Sequence, residues 1–251
     1  MKITILVENS TSRTHNKLCA SEWGFSAFIQ TKNANILFDT GHSEIYWRNA
    51  QNLNLDLNNT HFIILSHRHW DHVEGLKYHN FVNKKKIIMH PEVLNKAPNE
   101  VVDIMKKDFE IVTTDKPIEF SPDSYFLGEI PRKFSYEKGE YKGDKMLDDT
   151  ALAIKTEKGV VVITGCSHSG ISNICEYAKE ISGQELHAVM GGFHLFEDDP
   201  SAVEGAVNYF KAENPRCLYP MHCVDLPTMT KFYNEFGMQK LGAGDEIEFK
   251  E

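Results

Sequence analysis

Cysteine is scarce and badly arranged for cross-linking: the five residues Cys19, Cys166, Cys175, Cys217 and Cys223 are an odd set with no Cys-x-x-Cys pair. That argues against a disulfide framework and fits a reduced, cytoplasmic protein. Basic charge is in deficit, with 27 Lys+Arg against 36 Asp+Glu and a formal net charge of −9. A protein working mainly on nucleic-acid phosphate would carry the opposite balance, so no nucleic-acid partner is expected. No apolar run approaches the roughly 20 residues that span a bilayer, and no membrane partner is expected. The first residues, MKITILVENS, alternate like a strand of the folded domain and have neither the apolar core nor the cleavage site of a signal peptide. Nine prolines and 16 glycines leave no room for collagen, low complexity or wholesale disorder. There is no 20–50-residue repeat and no Pro/Ser/Gly linker, so residues 1–251 read as a single domain long enough to bury a real core.

Histidine is what the sequence does have: 12 residues, three of them between positions 67 and 72. Strands are expected at 3–8, 25–30 and 35–39, the last two joined as a hairpin through TKNA, then a helix over 43–52 and a buried strand at 61–66. GLKYHNFV (75–82) reads as a short helix and KIIMH (86–90) as a strand, with Pro91 opening a further helical turn. A helix near 98–108 and short strands near 110–113 and 124–128 follow. The Lys-, Glu-, Tyr- and Gly-rich stretch at about 128–149 reads as a long surface excursion, a lid or binding loop on one reading and a solvated connection on the other. Beyond it come strands at 150–156 and 159–165, a helix over 170–182, a strand at 185–192, a helix over 200–213, a strand at 217–221, a helix over 226–236 and a closing strand at 246–250. Two batches of strands, each followed by helices, imply an α+β fold of two mixed sheets packed face to face with helices on both outer faces.

Residues 61–75, HFIILSHRHWDHVEG, place four ligand-type side chains just beyond a buried strand. Residues two apart in extended chain point the same way, so His67 and His69 can present two imidazoles to one metal, while Asp71 and His72 turn toward a neighbouring position. Clustered histidines are costly unless something shares their lone pairs. Four donors cannot close two metal shells, and His168 in VVITGCSHSG and His222 in CLYPMHC also follow apolar strands, where strand ends converge on one edge.

The His67-x-His69-x-Asp71-His72 pattern with later strand-end histidines resembles the metallo-β-lactamase superfamily. The resemblance implies an αββα sandwich with a two-metal site in which His67, His69 and His168 hold one ion and Asp71, His72 and His222 the other. It also implies that Asp39, in ILFDTG, orients a ligand imidazole. SEWGFS, GEIPR, DDTALAI, TGCSHSGI and GGFHL further resemble the branch typified by the archaeal 7,8-dihydropterin-6-methyl-4-(ribofuranosyl)aminobenzene-phosphate synthase. Two departures stand out. Where much of the superfamily has an aspartate bridging the metals, this chain offers His194, whose imidazole gives one lone pair to one ion. Either the metals share only a water or hydroxide, or the second ion binds loosely, or His194 serves catalysis by donating to substrate or leaving group, which is the preferred reading. MHCVD at 221–225 replaces the threonine-glycine pair that follows His-Cys in the branch.

The implied chemistry is hydrolysis by a metal-activated hydroxide, with two divalent cations, Zn²⁺ foremost and Mn²⁺ or Fe²⁺ as alternatives. Asp71 would ligate or accept the hydroxide proton. The substrate would be a small anionic molecule, a phosphate or pyrophosphate ester, with lactone and thioester open, since local cations dominate the local field. The rivals are a pyrophosphate-releasing transferase like the synthase, a redox di-iron protein and a non-catalytic metal sensor. Cys166 and Cys223 read as small buried residues, with thiolate ligation the alternative. His42 could line the pocket; Glu8, Asn9 and Glu22 are weaker candidates near the same edge. His15, His61, His79, His90 and His187 have no ligand-spaced partners. The amphipathic runs at 171–182 and 201–212 are expected to cover a sheet.

Overall fold

The computed structural model describes residues 1–12, 18–137 and 139–250. His15 lies outside them. The chain divides into two compact units, Met1–Asp115 with Leu241–Glu251, and Lys116–Lys240.

The first unit holds a seven-stranded mixed sheet. Strands β1 (Lys2–Val7), β2 (Ser26–Gln30) and β3 (Asn35–Phe38) form an antiparallel meander. The β2–β3 turn is closed by Thr31, whose Oγ1 accepts from the N–H groups of Asn33 and Ala34, as TKNA implied. Strands β4 (Phe62–Ile64), β5 (Lys85–Met89) and β6 (Phe109–Thr113) then continue parallel to β3. All four of these strands therefore deliver their C-terminal ends to one edge. Helices α1 (Ile45–Asn52), α2 (Trp70–Val73), α3 (Pro91–Lys96) and α4 (Asn99–Asp108) fill the connections. Leu37, Ile63 and Ile87 pack with Tyr46, Trp47, Val101 and Met105 in one apolar cluster. Fully burying an aromatic or aliphatic side chain of this size is worth about 1.5–3 kcal/mol, which fixes the face each strand presents.

The second unit repeats the plan with six strands. Strands β7 (Ile118–Ser121), β8 (Ser124–Phe126), β9 (Ala151–Thr156) and β10 (Gly159–Thr164) run antiparallel. Strands β11 (Leu186–Gly192) and β12 (Cys217–Met221) are parallel to β10. Helices α5 (Ile171–Ser182), α6 (Pro200–Glu213) and α7 (Leu226–Phe236) bury Ile174, Val203, Phe210 and Phe232 against Val160, Val162 and Val189. Strand β13 (Glu246–Glu248) returns to the first unit and pairs antiparallel with β1.

Two elements differ from expectation. The short helix expected over GLKYHNFV is a 3₁₀ segment, Glu74–Tyr78, which stops before residues 79–82. A Cβ at Gly75 would lie 2.1 Å from the Thr40 carbonyl oxygen, so the chain there follows a close backbone approach instead of helical periodicity. The edge strand β7 has no clear signature in the sequence, because its alternation is broken at once by Pro122-Asp123, which supplies the turn to β8 with Asp123 at φ 63°.

The excursion at 128–149 contains no helix or strand among its described residues, yet it is tied down. Asn173 Oδ1 accepts from the Lys133 and Phe134 N–H groups, and the Arg132 guanidinium donates to the carbonyls of Ile130, Lys145 and Met146. Glu137 is buried and accepts from the N–H groups of Ser172 and Asn173 in the first turn of α5. Among the described residues no helix is long and apolar enough to cross a membrane.

Candidate metal centre

In the first unit the chemistry-bearing residues sit where parallel strands end. Asp39 follows β3 in the left-handed region at φ 52°, which turns its carboxylate toward the end of the neighbouring strand β4. There it accepts from the Ser66 N–H at 2.8 Å, the Ser66 hydroxyl at 2.6 Å and Nδ1 of His72 at 2.7 Å. Ser66 Oγ also lies 2.9 Å from Nδ1 of His67. The proton placement follows from counting donors. A carboxylate only accepts, so the serine spends its single proton on Asp39 and must accept from His67; His72 likewise carries its proton on Nδ1. Both rings then have their lone pair on Nε2, the form in which an imidazole ligates.

His69 is extended and opens helix α2, with its carbonyl accepting from the His72 N–H at 3.0 Å. The His67 ring lies 4.7 Å from that of His69 and 4.2 Å from that of His72. Oδ2 of Asp71 stands 3.7 Å from Nε2 of His72, too far for a hydrogen bond but close to the spacing of two ligands on one ion at bond lengths of about 2.0–2.1 Å. Thr40 holds the helical turn in place, its N–H and hydroxyl both donating to the His72 carbonyl. His67, Asp71 and His72 are buried and His69 is partly so. The donor set is one that fits a divalent cation: three imidazoles and a carboxylate, with two of the rings held in the ligating tautomer.

The second unit gathers its candidates at the ends of β10, β11 and β12. His168 is buried beyond β10, and Asp149 accepts from the N–H and hydroxyl of the next residue, Ser169, at 2.9 and 2.5 Å. Burial pushes Asp149 up to about 6 against the pull of those hydrogen bonds. His194 follows β11 at φ 49° and its ring lies 4.3 Å from that of His168. Burial, with a smaller contribution from His222, holds His194 down to about 4, so its imidazole is neutral near pH 7. It can offer an N–H hydrogen bond there but keeps no proton in reserve. His222 follows β12 at φ 50°, and it is buried together with Cys166 and Cys223.

Tyr141 from the excursion and Phe196 flank this group, with ring centroids 5.7 and 5.0 Å from that of His194. Neither they nor Ser66 stood out in the sequence. Ser66 is recognisable only once β3 and β4 are known to be parallel neighbours. Other candidates have ordinary explanations. Glu22 clamps the loop after β3 by accepting from the N–H groups of His42 and Ser43 and the Ser43 hydroxyl. Glu8 accepts from Ser10, and Asn9 from the Gly24 N–H. His42 is exposed and packs edge-on against Trp70, and His90 caps α3 by accepting from the Glu92 N–H.

Residues 24–180 match the family model of the metallo-β-lactamase superfamily. The chain is 35% identical over 250 residues to an uncharacterised protein of Methanocaldococcus jannaschii, covering 91% of this chain and 93% of that one. It is 32% identical over 288 residues to the 7,8-dihydropterin-6-methyl-4-(beta-D-ribofuranosyl)-aminobenzene-5'-phosphate synthase of the same organism, covering 99% and 97%. A solved metal-dependent hydrolase of the β-lactamase superfamily superposes over the whole of both chains with a TM-score of 0.85 at 26% identity. The chain thus belongs to the metallo-β-lactamase superfamily and has its α+β fold, in which divalent cations are generally bound.

Proposed function

We propose that the protein is a hydrolase of a small anionic substrate containing phosphate or pyrophosphate. In this reading His67, His69 and His168 hold one divalent cation and Asp71, His72 and His222 a second, with zinc foremost and manganese or iron as alternatives. The observation that carries it is the Asp39–Ser66–His67/His72 hydrogen-bond set, which fixes two imidazoles in the ligating form before any ion arrives. Cations bound there would supply Lewis acidity, lowering the pKa of water toward neutrality and offsetting negative charge that develops on oxygen. Asp71 has the oxygens to ligate and to accept a proton from the attacking water. His194, partly buried and held neutral by desolvation, donates an N–H hydrogen bond to the substrate or leaving-group oxygen. Tyr141 and Phe196 restrict how the substrate lies against it. With five free cysteines among the described residues, we assign the protein to a reducing compartment, the cytoplasm.

A second reading, a transferase in which an arylamine displaces pyrophosphate from a dihydropterin pyrophosphate, is favoured by the full-length similarity to the synthase. One assay separates the two: protein loaded with zinc or manganese is given phosphodiesters and pyrophosphate esters, then a dihydropterin pyrophosphate with and without the arylamine ribofuranosyl phosphate. Hydrolysis without amine supports the first reading, and pyrophosphate release only with amine supports the second. No turnover of any substrate leaves the metal-sensor alternative. His67→Ala and His72→Ala should each lower metal content; unchanged metal content in both would refute the ligand assignment.

A further inference from the structure

Strands β10, β11 and β12 lie side by side, with Thr164 opposite Gly191 and Gly192 opposite Met221. Side chains at the ends of the two outer strands start roughly 9–10 Å apart, two strand spacings, with the middle strand's own side chain normally between them. Here the middle strand ends in Gly191-Gly192. A Cβ on Gly192 would stand 2.7 Å from Sγ of Cys223, 2.3 Å from the Gly165 carbonyl oxygen and 3.0 Å from Cα of Cys166. The missing side chain is what lets Cys166 and Cys223 approach each other across β11. The approach is fastened by the Gly192 N–H donating to the Gly165 carbonyl at 3.0 Å and the Ser167 hydroxyl donating to the Gly192 carbonyl at 2.6 Å. Left-handed backbone at Ser167 (φ 66°) and His222 (φ 50°) turns both strand ends sharply. Cys223 Sγ donates to the Cys166 carbonyl at 3.3 Å. The ligand atoms of Cys166, His222 and Cys223 all lie within 4.8 Å of one another, and each residue is only 4% exposed.

We propose that Cys166, His222 and Cys223 form a cation site of their own, for a thiophilic divalent ion such as Zn²⁺ or Cd²⁺. Two thiolates and an imidazole are soft and borderline donors, the set that selects these ions over Mg²⁺ or Mn²⁺. Charge favours it as well: two thiolates cancel the 2+ charge locally, whereas an all-imidazole set would leave it uncompensated in a buried place. Binding exchanges two thiol protons for the ion, M²⁺ + 2 RSH giving M(SR)₂ + 2 H⁺ with no change of oxidation state. All three donors belong to the second unit, and because His222 is also the proposed ligand of the second cation, an ion held here takes that histidine from it.

The test uses the reduced, metal-free full chain. Titration with Co²⁺ should raise a sulfur-to-cobalt charge-transfer band that Cys166→Ser/Cys223→Ser loses and His67→Ala keeps, with two protons released per ion in weak buffer. A wild-type protein without the band, or a double variant with the band undiminished, overturns the proposal. If the serine variant does not fold, the ¹¹³Cd resonance of the wild-type protein decides: a position characteristic of two thiolates supports the site, and one characteristic of nitrogen and oxygen donors alone refutes it. Loss of cation binding in His67→Ala with the band retained would separate the two-cation centre from this one.

Discussion

Asp39→Asn isolates one carboxylate oxygen. Asparagine has the same shape and, like aspartate, tolerates the left-handed backbone found there (φ 52°), so the chain path after β3 should survive. The amide oxygen can keep the 2.8 Å bond from the Ser66 N–H. The amide nitrogen then stands where the Ser66 hydroxyl and His72 Nδ1 both donate, at 2.6 and 2.7 Å. Three donors cannot share that place. The serine proton can rotate away, but His72 relieves the conflict only by moving its proton to Nε2, which removes the lone pair a cation would need. Loss of such an orienting carboxylate lowers metal affinity by about 10–100-fold, or about 1.4–2.8 kcal/mol at 1.4 kcal/mol per decade. The metal-free protein should also lose about 1.5–3 kcal/mol with the charge-assisted bond to His72. Calorimetric titration with Zn²⁺ reads the first quantity and urea unfolding in a chelator the second. An Asn variant that loses stability but binds zinc within twofold of the wild type would refute the tautomer argument, because the carboxylate would then be structural only.

Three further outcomes are expected. Burial raises the Glu137 carboxyl above its ordinary 4.5, against the pull of the Ser172 and Asn173 N–H groups; a raised folded value contributes stability that is complete below 4.5 and is lost as pH rises through it. The stability advantage of wild type over Glu137→Gln should therefore shrink as pH rises above 4.5, and urea midpoints of the two proteins that stay parallel as pH rises would rule this out. Arg132→Ala removes the guanidinium bonds to the carbonyls of Ile130, Lys145 and Met146, so limited proteolysis should cut within 128–149 several-fold faster while the unfolding midpoint barely moves; equal cutting rates would mean the excursion is held by something else. At position 194 (φ 49°), glycine should be more stable than alanine by about 1 kcal/mol, the reverse of the usual order in regular structure, and an Ala variant matching Gly in thermal unfolding would show that the strand end relaxes.

The sequence was most informative where polar punctuation marks an element. Helix α6 begins with Asp199 accepting from the Ala202 N–H and Pro200 in the first turn, and ends on Asn214 in the left-handed region. Helix α7 repeats this with Asp225, Pro227 and Gly237. Such capping is local and can be read in one dimension. The same holds for the histidines, which were found because apolar runs ending in Ser66, Gly165 and Met221 mark strand ends. What could not be read depends on which strands become neighbours. That Ser66 joins Asp39 to His67 requires β3 beside β4, and that two cysteines 57 positions apart share one buried place requires β11 between β10 and β12 with glycine at its end. The excursion deceived for another reason: its polar composition hides Glu137, a buried acid whose partners are backbone donors of α5.

Asp39, Ser167, His194 and His222 all have positive φ, and each stands one to three residues beyond a strand. For non-glycine residues this backbone costs roughly 1–2 kcal/mol each, less for Asp and Asn, which also adopt it in the turn at Asp123 and at the end of α6 at Asn214. Glycine would remove the strain and the functional side chain together. Parallel strands give the reason the strain is tolerated: they bring all their C-terminal ends to one edge, but a strand that simply continued would keep alternating its side chains above and below the sheet. A single left-handed residue breaks that alternation and redirects the chain, so donors from adjacent strands face one another across the edge. The device recurs in both units, at Asp39 in one and at three positions in the other. Packing alone does not account for this, since the apolar clusters of either unit lie on the sheet faces and would be satisfied without it. The strain is better explained as the cost of holding polar side chains in convergence before a ligand is present. Left-handed backbone thus sets His194 and His222 apart from His61, His79 and His187, which share the residue type and lack the conformation.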